Sequence, residues 1–230
     1  MSIAKNIAKI EERLLAALNR AGRKREEITL MGVSKFVPEE KIMEAFNAGI
    51  SCFGESRVKE AIEKFASLKN EFTGIQLHLI GSLQRNKAKP AAGFFDCIQS
   101  VDREELITEL VKHISFRENK LDVLLELHTA EDSKSGFASV EALLRAVELV
   151  LLCDKLKPIG LMTMAPNTGD TSVIRSSFRA LVKARDELEK RFPSHWSCLS
   201  MGMTGDFEIA IEEGSTLLRI GTAIFGERQT

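Results

Sequence analysis

The chain has 230 residues, 32 Lys and Arg against 33 Asp and Glu, a net charge of −1, and 44% hydrophobic residues. That near-neutral balance excludes a sequence-independent nucleic-acid binder, which needs a basic excess, and there is no run of about 18 apolar residues to span a membrane. The four cysteines, Cys52, Cys97, Cys153 and Cys198, lie far apart with no C-x-x-C pair, so neither a zinc site nor a disulfide framework is indicated and reduced thiols in the cytoplasm are expected.

The opening segment, MSIAKNIAKIEERLLAAL, predicts an amphipathic helix rather than a signal peptide, because acids interrupt it. Ser2 is its expected N-cap, Ile3, Ile7, Ile10, Leu14 and Leu18 its apolar stripe, and Gly22 its terminator. After it, strand-type runs begin near Thr29, Ile50, Gln76, Phe95, Leu121, Pro158, Trp196 and Ser215. Amphipathic helical stretches such as PEEKIMEAFNAG separate them. Strands alternating with helices imply a parallel sheet with right-handed crossovers. Eight such units in one chain fit a closed (β/α)8 TIM-like barrel with an extra N-terminal helix, ahead of an open doubly wound sheet. No Ser- or Pro-rich linker divides the sequence, so residues 1–230 are expected to form a single domain.

The barrel expectation says where function should sit. Active sites of such barrels lie at the C-terminal ends of the strands, and phosphate is often held by the loops after strands 7 and 8. SMGMT (Ser200–Thr204) follows the seventh run and IGT (Ile220–Thr222) the eighth. Neither matches a Walker loop or a dinucleotide fingerprint. Two small-residue turns side by side let backbone N–H groups approach one dianion, and a helix expected to begin near Thr204 adds its positive end.

The first strand, LMGVSK, alternates so that Met31, Val33 and Lys35 share one face. With Met31 and Val33 filling the interior, Lys35 points into the barrel mouth, where partial desolvation favours the neutral amine that attacks carbonyls. Arg219 lies on the eighth run, which closure makes the neighbour of the first. A lysine, an arginine and a phosphate cradle within a few ångströms fit a phosphorylated aldehyde. Pyridoxal 5′-phosphate (PLP) meets that description, and a phosphosugar held by a Schiff-base aldolase is the competing ligand. The histidines His78, His113, His128 and His195 have no metal-binding spacing, so no metal is expected, and His78 and His128 read as satisfied core residues. The stretch RNKAK (Arg85–Lys89) reads as a solvated helix face.

The segments GVSKFVP, FGESRVKEA, LHLIGSLQRNK, QSVDR, EDSKSG, GLMTMAP and LSMGMTGDFEIAIEEGSTLLRIGTAIFG occur in that order, and in this the chain resembles the PLP homeostasis protein family across nearly its whole length. The family is itself similar to the barrel domain of alanine racemase. The resemblance implies an aldimine between PLP and Lys35, phosphate contacts from Ser200, Gly202, Gly221 and Thr222, Arg219 facing the pyridine nitrogen, and Met162 and Met203 around the ring. It also implies a monomer without catalytic turnover, with apo forms of PLP enzymes as partners and amino acids able to bind as external aldimines. A PLP-dependent racemase or decarboxylase is the enzymatic alternative. The chain departs from the family pattern at Ser56 and His128, where relatives usually have Asn, and at Val37, where many have a second lysine. PLP migrating between lysines would therefore use others, such as Lys87 or Lys134.

Overall fold

The computed structural model describes residues 2–129, 135–193 and 196–227. Helix α1 (Ile3–Ala21) starts where the Ser2 hydroxyl accepts from the Lys5 N–H and ends at Gly22, whose φ of 65° is left-handed. Its apolar stripe is buried, partly against the last two helices.

Eight strands follow: β1 (Thr29–Val33), β2 (Cys52–Glu55), β3 (Gln76–Leu79), β4 (Cys97–Val101), β5 (Leu121–Glu126), β6 (Leu156–Met162), β7 (Cys198–Ser200) and β8 (Leu217–Ile220). They form one closed parallel barrel in sequence order. Each is followed by a helix: α2 (Glu39–Asn47), α3 (Val58–Glu71), α4 (Ala88–Phe94), α5 (Glu104–Lys112), α6 (Val140–Leu151), α7 (Thr171–Arg191), α8 (Phe207–Glu212) and α9 (Thr222–Phe225). The expected (β/α)8 barrel with an additional first helix is therefore the fold. Closure pairs β8 with β1, Met31 opposite Arg219 and Gly32 opposite Ile220.

Period-two alternation divides the apolar residues into two environments. Leu30, Phe53, Leu77 and Ile98 join the large core between barrel and helices. Met31, Cys52 and Leu217 form one small cluster, and Cys97, Leu124 and Met162 another, and these fill the barrel interior. Two boundaries differ from expectation. β1 stops at Val33, short of Lys35, and α8 begins at Phe207 rather than near Thr204. No helix among the described residues is long and apolar enough to cross a membrane, and none of them form a cluster of three or more His, Cys, Asp or Glu that could hold a metal ion.

Candidate functional site at the seam of the barrel

Lys35 lies two residues past β1, in a turn rather than on the strand. The Val37 N–H donates to the Ser34 carbonyl at 3.0 Å, which makes Lys35 and Phe36 the central pair of a β-turn. Phe36 is the one non-glycine residue with positive φ, 61°, among the described residues. Such a conformation in a bulky side chain costs on the order of 1–3 kcal/mol and persists only where neighbours enforce it. The Lys35 amine has no hydrogen-bond or ion-pair partner among the described residues.

Facing that turn, across the seam, is the end of β8. Lys35, Gly221 and Thr222 line one cleft of about 580 Å³, together with Val33, Phe36 and Lys41. The backbone N–H groups of Thr222 and Ala223 begin a short helix and have no acceptor among the described residues. The same holds for the N–H groups of Thr204 and Gly205 in the loop after β7. The loop after β7 is tied to β8 by the Arg219 N–H, which donates to the Gly202 carbonyl at 2.9 Å. Gly202 has φ +97°, and a Cβ there would sit 2.6 Å from the Ala210 Cβ, so only glycine brings this loop against α8.

Arg219 points into the barrel, where it is 4% exposed. One terminal nitrogen donates to the Ser200 carbonyl and to the Ser200 hydroxyl, both at 2.7 Å, and the other to the Thr163 carbonyl at 2.8 Å. A guanidinium carries five N–H donors, so two, including Nε–H, have no acceptor among the described residues. Burial lowers the guanidinium to about 10 against the opposing pull of Asp206 and Glu126, and it stays cationic at neutral pH. The Ser200 hydroxyl donates in turn to the Gln99 Oε1 at 2.7 Å, and the Gln99 Nε2 meets the His78 Nδ1 at 2.8 Å. Burial holds His78 down at about 4. Neutral, it accepts the amide proton at Nδ1 and so carries its own proton on Nε2. A polar chain thus crosses the interior from β3 to β8 and fixes the arginine.

These positions sort the sequence-derived candidates. Lys35, Gly221 and Thr222 converge on one cleft, and Arg219 is two residues from Gly221 on the same segment. Ser200 is fully buried, and its hydroxyl is occupied by Gln99 and Arg219, an arrangement that orients the arginine rather than presenting the hydroxyl to an anion. Gly202 shapes the loop. Met162 packs in the interior with Cys97 and Leu124, and Met203 is 39% exposed on the loop after β7; neither lines the Lys35 cleft. Lys87 lines a different cleft, between the loops after β2 and β3. Lys134 and His195 lie outside the described residues. Gln99 and Thr163 fall within QSVDR and GLMTMAP, but nothing local in those segments marks a role at Arg219: Thr163 accepts from it with its backbone carbonyl, and Gln99 acts through the Ser200 hydroxyl.

Residues 6–229 match the family model for the alanine racemase N-terminal domain. The chain is 39% identical over 230 residues to the pyridoxal phosphate homeostasis protein of Aquifex aeolicus, covering 100% of each. To that of Escherichia coli K12 it is 38% identical, covering 98% of this chain and 97% of the relative. Among solved structures, PipY of Synechococcus elongatus with PLP bound superposes with a TM-score of 0.85 at 30% identity, covering 98% of this chain and 100% of PipY. An alanine racemase of Clostridium difficile, at a TM-score of 0.76 and 13% identity over 96% of this chain and 57% of that one, shares the fold alone. With this barrel, this order of motifs and full-length identity of this size, the chain belongs to the pyridoxal phosphate homeostasis protein family.

Proposed function

We propose that the chain binds PLP at the β1–β8 seam and holds it reversibly through Lys35, as a carrier that supports PLP homeostasis rather than an enzyme that turns over amino acids. The supporting observation is that the Lys35 amine and Thr222, whose N–H is likewise without a partner among the described residues, line one cleft. When bound, the cofactor supplies an aldehyde with which a lysine amine condenses, reversibly and with loss of water. The residues present fit that group. The N–H groups of Thr222, Ala223, Thr204 and Gly205 are donors suited to a phosphate dianion. Arg219, held by Ser200 and Thr163, can only donate, and so favours an unprotonated pyridine nitrogen and a weak electron sink.

The chain has no tyrosine, so no tyrosine of its own serves as a proton carrier opposite the lysine. All the proposed contacts come from one barrel, so a single protomer suffices, and this accords with a monomer. On this reading its partners are apo forms of PLP enzymes in the cytoplasm, with free amino acids able to displace the lysine. The test is an absorbance spectrum of PLP-loaded protein before and after borohydride, followed by peptide mapping. The expected result is one stable adduct on Lys35, absent in Lys35→Ala. An adduct mainly on another lysine overturns the assignment, and alanine racemisation at about 1–10³ per second, abolished by Lys35→Ala, overturns the carrier.

A further inference from the structure

The turn that carries Lys35 is clamped from below by α3 and β2. The Phe36 N–H donates to the Glu60 Oε1 at 2.8 Å. The Lys64 amine, one helical turn on, donates to the Ser34 carbonyl at 2.8 Å, the same oxygen that closes the turn. Lys64 also pairs with the Glu60 Oε1 at 3.1 Å and with the Glu55 Oε1 at 2.6 Å. The Ser34 hydroxyl donates to that Glu55 oxygen at 2.7 Å. Lys64 is 13% exposed and Glu55 fully buried, and the second Glu55 oxygen has no partner among the described residues, so Glu55 is anchored through Oε1 alone, by Lys64 and the Ser34 hydroxyl. Strand alternation ends at Val33, which leaves the direction of Lys35 to the turn. The turn's least favourable feature is the left-handed Phe36, and Glu60 bonds the amide of that very residue.

We propose that Glu60, Lys64 and Glu55 are positioning residues for Lys35: they hold Phe36 left-handed and thereby aim the lysine amine into the seam cleft. The proposal rests on the assignment of Lys35 as the PLP-binding amine and adds the device that aims it. A carboxylate at position 60 is not itself required. A neutral side-chain oxygen there still accepts the Phe36 N–H, so Glu60→Gln keeps the device and Glu60→Ala removes it. Glycine adopts φ near 60° without steric cost, so Phe36→Gly placed in Glu60→Ala relieves the conformation that the clamp otherwise enforces.

The experiment has two readouts. Amide hydrogen exchange at residue 36 is measured in PLP-free protein, and PLP affinity is taken from titration with borohydride capture on Lys35. Glu60→Ala is expected to accelerate exchange at Phe36 and to weaken PLP binding about tenfold, or ~1.4 kcal/mol. Glu60→Gln should stay near wild type, and Phe36→Gly in the Glu60→Ala background should recover a large part of the lost affinity. Faster exchange at Phe36 with unchanged PLP affinity overturns the positioning role, as does equal loss of affinity in Glu60→Gln and Glu60→Ala. If wild-type Lys35 captures no PLP, the assignment of Lys35 fails instead, and the exchange data still report whether the clamp holds the turn.

Discussion

Replacing Ser200 with alanine tests how the arginine is held. The substitution removes one hydroxyl–amide bond to Gln99 and one charge-assisted bond from Arg219, each 2.7 Å long. Gln99 is completely buried, so its oxygen gains no compensating water. About 1 kcal/mol for the first bond and about 1.5–3 for the second give a loss of roughly 2.5–4 kcal/mol of stability. At this chain length each kcal/mol moves Tm by about 2–4 °C, so a drop of roughly 5–16 °C is expected by calorimetry. The binding consequence is distinctive. An arginine that has lost its brace disturbs the ring end of the ligand, so PLP and pyridoxal should weaken by the same factor. Weakened PLP binding with pyridoxal unchanged, at unaltered Tm, would refute the reasoning and make Ser200 a direct phosphate ligand.

The wild-type protein should itself bind pyridoxal far more weakly than PLP, because each hydrogen bond to the dianion contributes about 1.5–3 kcal/mol; equal affinities by titration would dismiss the backbone cradle. Gly202→Ala should lose about 2 kcal/mol or more in urea unfolding, from a left-handed backbone and a Cβ 2.6 Å from that of Ala210; an unchanged midpoint would contradict the close approach. His78 stays neutral in the fold down to about 4 but takes up a proton from 6.5 when unfolded. The unfolded state therefore binds more protons in that window, and stability should fall as pH drops through it, by up to about 3 kcal/mol. His78→Gln should flatten the profile, and a wild-type slope that survives the substitution would point elsewhere.

How far the sequence carries the fold can be judged from particular residues. Ser2, Gly22 and the stripe from Ile3 to Leu18 specify α1 through local rules, and the eight apolar runs each contain a strand because alternation and length are local properties. The pairing of the first strand with the last follows once closure is assumed, whereas the register that sets Met31 against Arg219 is seen only in the structure. Two things were beyond such rules. Phenylalanine gives no signal for a left-handed turn, so alternation runs the strand on to Lys35 when it ends at Val33; the side chains that bond this turn, Glu60 and Lys64, sit on α3, one strand–helix unit further along the chain. Ser200 follows a strand beside glycines, as a phosphate-binding serine would. What assigns its hydroxyl to Arg219 is Gln99, from a strand on the other side of the chain's length. Contacts between residues distant in sequence leave no periodic trace, and the polar chain from His78 to Arg219 consists of nothing else.

The cleft draws Lys35 from the first strand unit and Gly221 and Thr222 from the last. A ligand that grips both would act as a removable rivet across the seam where the first strand meets the last. It has affinity for the barrel only after β8 has docked on β1, so occupancy is thermodynamically linked to ring closure: at a free concentration of one hundred times Kd it contributes about 2.7 kcal/mol to the closed form. By the same linkage, the loaded barrel is expected to resist separation of β8 from β1 more than the empty one.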